Sequence, residues 1–334
     1  MRKCLIVVAS LVMAGLCVSA LLLVVGGGAG ENIAPTQTTS AQTVATTFPT
    51  VTTAPPETTV ATEPPYIPID PPDMSQSTAS HVFVYDVEKE RLLFTVGDQD
   101  AAIAPASLTK LFTAYVAMQY LEPGDLVTVG EEAGWIGEGS SIAAVSQGCR
   151  LSAGMILQGM LMQSGNDAAY ALAVAAGREI ANDPGLAARP ALEHFLAEVN
   201  RQLQVLGLTN THFTTPDGYD DDEHYTTAGE MMQIALLAVG EPLITESCGI
   251  DSAVVRYDSG EEYTWKNTNW MLHESSEFYC PEATGLKTGA TSRAGNCLIA
   301  TFDTGETTLL IGVLGCEELE QRFQDALLLF EHYR

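Results

Sequence analysis

The spacing of hydrophobic residues changes along the chain and divides it. From Cys4 to Val25 apolar residues run almost without a break, and from Gly26 to Met74 large apolar side chains nearly vanish. Beyond Ser80 the pattern predicts ordered elements. His81 to Tyr85 and Leu92 to Val96 are β-rich runs joined by the charged turn Glu88-Lys89-Glu90-Arg91, which reads as a hairpin. The apolar run Leu111 to Met118 has helical spacing, and Val127 to Val129 reads as a short strand. Ala153 to Met162 and Ala168 to Ala176 predict two buried helices, separated by the tight bend Gln163-Ser164-Gly165-Asn166-Asp167. Helices follow at Ala191 to Leu206 and Thr227 to Val239. Strands are then predicted at Ala253 to Tyr257, Glu262 to Trp265, Gly285 to Thr288, Asn296 to Phe302 and Thr307 to Leu314, with a closing helix from Leu319 to Tyr333.

Strands at both ends with helices between them imply an α/β (α+β) fold. One mixed, mainly antiparallel sheet is expected, covered by the first and last helices, with a mostly helical insertion. The organisation predicted is an N-terminal membrane anchor or signal segment at 1–25, a Thr/Pro-rich linker at 26–79 and a catalytic-sized domain at 80–334. Thr, Pro and Ala dominate the linker, as in Thr52-Thr53-Ala54-Pro55-Pro56, and such a stretch buries too little surface to offset its ordering entropy.

Charge and compartment narrow the function. Lys and Arg number 15 against 42 acidic residues, a formal charge of −27, which repels nucleic acid. Arg2 and Lys3 precede an apolar run of about 22 residues, enough to span a membrane as a helix and longer than the roughly 7–15 of a cleavable signal. An uncleaved anchor with the rest of the chain outside the cytoplasm is the expectation, cleavage and secretion the alternative. Five cysteines lie beyond that segment: Cys149, Cys248, Cys280, Cys297 and Cys316. An oxidising exterior permits one or two disulfides, and buried unpaired thiols fit equally.

Candidate chemistry begins at Pro105-Ala106-Ser107-Leu108-Thr109-Lys110. At the first turn of a helix, Lys110 returns to nearly the same face as Ser107 and sets an amine beside a hydroxyl. Lysine serves as a base once burial or nearby positive charge disfavours its ammonium. Alone, the pair also fits an N-cap beside a solvated lysine. Ser164-Gly165-Asn166 places a hydroxyl and a carboxamide in one turn, and Leu286-Lys287-Thr288-Gly289-Ala290 places a lysine and a threonine on a late strand. Ser-x-x-Lys, Ser-x-Asn and Lys-Thr-Gly in that order form the signature set of serine β-lactamases and penicillin-binding proteins, except that Gly165 stands where Asp is usual.

From about His81 to Tyr333 the chain resembles the serine-type D-alanyl-D-alanine carboxypeptidases, the low-molecular-mass penicillin-binding proteins of the β-lactamase/transpeptidase-like superfamily. The likeness includes Thr215-Pro216-Asp217-Gly218 and His224-Tyr225-Thr226-Thr227. It implies Ser107 as nucleophile, Lys110 as base, Ser164 as proton relay and Asn166 as the group that holds Lys110 and the substrate amide. It implies Lys287 and Thr288 as substrate-binding, Gly289 as room for the ligand, and the N–H groups of Ser107 and Ala290 as oxyanion donors. Arg322 is implied on the substrate's terminal carboxylate. The implied substrate is a peptidoglycan stem peptide ending in D-Ala-D-Ala, with β-lactams as inhibitors and no cofactor or metal. The family's β-rich second domain is not expected after the last helix. The Glu-x-x-Leu-Asn motif of a class A β-lactamase is absent from the sequence, as is His-Glu-x-x-His zinc spacing. Asp220-Asp221-Asp222 lacks the alternation and glycine of a calcium loop. Two further readings stay open: a penicillin-sensing or wall-binding module without turnover, and a D,D-endopeptidase.

Overall fold

The computed structural model describes residues 70–257 and 260–334, which belong to one compact unit, Ile67–Arg334. The expected anchor and most of the expected linker lie outside the described residues. In chain order the elements are β1 (His81–Asp86), β2 (Arg91–Val96), β3 (Ala102–Ile103), α1 (Thr109–Ala117), β4 (Leu126–Thr128), β5 (Arg150–Ser152), α2 (Ala153–Met162), α3 (Asn166–Ile180), α4 (Ala188–Val205), β6 (Thr226–Thr227), α5 (Ala228–Val239), α6 (Pro242–Gly249), β7 (Ser252–Arg256), β8 (Glu262–Lys266), β9 (Ala283–Thr291), β10 (Gly295–Asp303), β11 (Thr308–Cys316) and α7 (Gln321–Tyr333).

Five strands form the central sheet in the order β2-β1-β11-β10-β9, so strands from both ends of the chain meet at its centre. Every pair in it is antiparallel, in keeping with the mainly antiparallel sheet expected and with no parallel pair among the described residues. Successive side chains of a strand point to opposite faces, and both faces of this sheet are covered. Val82, Val84, Leu298, Ala300, Ile311 and Val313 pack with Phe323, Ala326, Leu329 and Phe330 of α7. On the other face Phe83, Ile299 and Leu310 join Leu111 and Phe112 of α1 in the larger core. That double burial explains why Asn296 to Phe302 reads as a nearly unbroken apolar run.

The helical insertion runs from α1 to α6. Ser152 caps α2 by accepting from Met155 N–H at 3.2 Å, and Thr227 caps α5 by accepting from Glu230 N–H at 3.1 Å. Helix α3 is alanine-rich and buried along most of its length, so it is the spine of the insertion. Strands β7 and β8 form a separate hairpin and do not extend the central sheet. Helix α6 was not expected: it is short, and its start is set by Pro242 at the first turn. All five described cysteines are free thiols, four of them buried, which resolves the alternatives in favour of unpaired cysteine.

Candidate active site

The nucleophile candidate sits where the sheet meets the helical body. Ala106–Leu108 forms one 3-10 turn that leads directly into α1, so Ser107 lies just before the helix and Lys110 in its first turn. Ala106 holds φ at +50°, in the left-handed region that a side chain disfavours. Ser164 shares this feature at φ +57°. Neither is Gly or Asn, so sequence carried no hint of either backbone.

Lys110 is fully buried and its Nζ donates to three oxygens at 2.8 Å each: Ser107 Oγ, Asn166 Oδ1 and the Asp217 carbonyl. Burial pushes its pKa down to about 8, against a smaller upward pull from Asp217 and Asp167. An amine so placed is a base close to neutral pH. Asn166 is oriented in turn by its Nδ2, which donates to Ser140 Oγ at 2.7 Å. Asp167 beside it accepts from the N–H groups of Ala143 and Val145 at 2.8 Å, tying the 140–145 loop to the start of α3.

Strand β9 closes the other side. Its register sets Lys287 opposite Ile299 and Gly289 opposite Cys297, so both share the face toward the helical body, while Thr288 opposite Leu298 takes the other face. Gly289 is needed for the approach of β9 to the nucleophile turn: a Cβ there would lie 3.2 Å from both Ser107 N and Ala106 Cβ. Thr288 Oγ1 reaches the edge of the sheet and pairs with Thr268 Oγ1 at 2.5 Å. Lys287 is buried, not a solvated edge charge, and donates to the Thr288 carbonyl at 3.0 Å. Burial, then the nearby Lys110, hold its pKa well below the usual lysine range.

A cleft of about 310 Å³ opens over this junction, lined by Ser107, Asn166, Gly218, Tyr219 and Ala290 among others. Ser164 is buried at the turn between α2 and α3. Arg322, at the start of α7, is buried behind β9, where its Nη1 donates to the carbonyls of Gly289 and Cys297 at 3.1 Å. It therefore approaches from beneath the strand and is not among the residues that line the cleft.

Four groups that chemistry alone did not single out complete the site: the Asp217 carbonyl, Ser140, Thr268, and a chain from His224 to the nucleophile turn. Thr214 N–H donates to His224 Nδ1 at 3.0 Å, which leaves the proton on Nε2 to donate to Thr109 Oγ1 at 3.0 Å. Thr109 Oγ1 in turn donates to the Ala106 carbonyl at 2.9 Å. His224 also stacks on Phe213, with centroids 4.9 Å apart. Only the likeness of the segments around Asp217 and His224 pointed to them.

A family model described as D-alanyl-D-alanine carboxypeptidase matches residues 68–318. Over 261 residues the chain is 31% identical to D-alanyl-D-alanine carboxypeptidase DacA of Escherichia coli K12, covering 73% of this chain and 58% of that protein. The chain thus spans less than two thirds of that relative. Among solved structures, Streptomyces K15 DD-transpeptidase superposes with a TM-score of 0.68 at 25% identity, covering 77% of this chain and 97% of that one. Penicillin-binding protein D2 of Listeria monocytogenes, in its ampicillin-bound form, gives 0.61 at 26% identity over 76% of this chain and 96% of that one. The family match and the identity, on top of the converging Ser107, Lys110, Asn166 and Lys287, place this chain in the D-alanyl-D-alanine carboxypeptidase family.

Proposed function

We propose that this protein is a serine-type D-Ala-D-Ala carboxypeptidase that removes the terminal D-alanine from peptidoglycan stem pentapeptides and is acylated by penicillins. The observation that carries the reading is the contact of Lys110 Nζ with Ser107 Oγ, inside a triad of acceptors that leaves the amine no other task. In the reactive form Lys110 is neutral, two of its N–H bonds stay on Asn166 and Asp217, and its lone pair takes the Ser107 proton. Ser107 Oγ then attacks the carbonyl between the two D-alanines, and the oxyanion forms against the N–H groups of Ser107 and Ala290. Ser164 relays the proton from Lys110 to the departing amine, and D-alanine leaves. Water then attacks the acyl-enzyme, losing its proton to Lys110, which passes it to Ser107 Oγ as the ester bond breaks and so restores the free enzyme.

Lys287 and Thr288 receive the terminal carboxylate, and Arg322 adds positive charge from behind β9. A carboxylate beside Lys287 restores the charge that burial disfavours, so substrate binding and protonation of Lys287 are coupled. The basic start and apolar run at 1–25 support an N-terminal anchor in the bacterial membrane, with 26–79 as a tether and the catalytic domain from 80 on the outer side. Release of D-alanine from a synthetic pentapeptide ending in D-Ala-D-Ala tests the reading. Steady release that stops in Ser107→Ala supports it. Stoichiometric acylation without release assigns a penicillin-sensing module instead.

A further inference from the structure

Asp217 is buried to within 1% of full exclusion from solvent, beside the base. Its carbonyl accepts from Lys110 Nζ at 2.8 Å, so its carboxylate lies within one residue's covalent reach of the ammonium. Oδ1 accepts from Tyr219 N–H at 3.1 Å, and Oδ2 is buried with no hydrogen-bond partner among the described residues. Burying a carboxylate with an orphaned oxygen is costly unless an opposite charge offsets it. The loop is held there deliberately: Thr113 Oγ1 donates to the Pro216 carbonyl at 2.7 Å, and Gly218 N–H to Thr215 Oγ1 at 3.2 Å. We propose that Asp217 is a positioning residue for the base: its carbonyl seats the amine, and its carboxylate governs how readily that amine gives up a proton. The proposal rests on Lys110 acting as the base for Ser107.

The charged and titratable groups around Lys110 are few and come from every packed element. Asp167 faces it from α3, Lys287 from β9, and His224 from the loop after Asp217, while Tyr170 of α3 faces Asp217 itself. Asp167 is already committed to backbone N–H groups, and burial drives Lys110 toward neutrality. Asp217 is the opposing charge with a free oxygen. Its effect is to keep the amine from becoming too weak a base, since a base works best with its pKa near the operating pH.

Asp217→Asn isolates the charge, because it keeps the backbone carbonyl and an acceptor for Tyr219 N–H. The second-order rate of acylation by a fluorescent penicillin is measured from pH 5 to 10 in the whole protein, with thermal melts alongside. Loss of an opposite charge at this range moves the acid limb down by about one pH unit, which makes acylation at pH 6 roughly tenfold faster while the alkaline plateau falls. Asp217→Glu keeps the wild-type midpoint. A uniform loss at all pH values, an unmoved midpoint in Asp217→Asn, or the same shift in Asp217→Glu overturns the proposal. If Asp217→Asn does not fold, Asp217→Ser removes the same charge and is read in the same way. Wild-type protein that is not acylated at any pH contradicts the function proposed above, which separates that failure from this one.

Discussion

Gly218 joins the base to the nucleophile turn, and Gly218→Ala is the sharpest mechanical perturbation of the site. Its φ is +82°, and a Cβ would press into the Ala106 carbonyl and stand 2.8 Å from Thr109 Oγ1. The left-handed backbone costs about 1–2 kcal/mol for an alanine, and relieving the overlap costs about 1–3 kcal/mol. The sum is about 3 kcal/mol, equivalent to a melting point lower by roughly 6–12 °C at about 2–4 °C per kcal/mol. Relief moves either the Asp217 carbonyl that holds Lys110 or the Ala106 carbonyl beside Ser107. A displacement of about 1 Å at a reacting pair costs on the order of 10²-fold in rate. Differential scanning calorimetry and stopped-flow acylation by a fluorescent penicillin read the two effects. A variant with wild-type melting point and acylation rate refutes the claim that these two segments are locked together through Gly218.

Wild-type acylation should climb about tenfold per pH unit below about pH 8 and level off above it, because Lys110 must be neutral to accept the Ser107 proton and burial places its pKa near 8; a profile flat from pH 6 to 9 contradicts its role as base. Thr109→Val removes the hydroxyl between His224 and Ala106; the Ala106 carbonyl keeps the Thr109 N–H, but His224 Nε2 is left buried without a partner, which should cost about 1–3 kcal/mol by denaturant titration. Burial pushes the pKa of His224 down to about 4, below its ordinary 6.5. The unfolded chain then binds a proton that the folded one refuses, so this contribution is intact above about pH 6.5 and is lost as pH falls toward 4, amounting to about 3 kcal/mol at most. Melting of His224→Gln should therefore depend less on pH than wild type between 4 and 6.5, and equal slopes refute the assignment.

Local pattern made most of the fold legible. The 81–96 hairpin, the α2 and α3 pair and the final strands and helix follow from period-2 and period-3.6 spacing, and their observed limits differ by a few residues at most. Pattern could not say that β7 and β8 pair only with each other, because pairing partners are a tertiary choice. Nor could it reveal α6, whose eight residues hold too few turns to display a period. Within the site, Ser107, Lys110, Asn166 and Lys287 were legible since their spacing carries chemistry. Asp217 and His224 act through a backbone carbonyl and a threonine hydroxyl, and neither contact has a sequence spacing to read. Arg322 was legible as a charge, yet its address was not: only the folded chain puts its guanidinium on the Gly289 and Cys297 carbonyls.

The central claim, that Ser107 is the nucleophile and Lys110 its base, is tested most directly by the mass of the penicillin-treated protein followed by peptide mapping. One penicilloyl group per chain on the peptide that contains Ser107, absent from Ser107→Ala and formed orders of magnitude more slowly in Lys110→Ala, is the expected result. Full labelling of Ser107→Ala, or an adduct mapped to any other residue, contradicts the account.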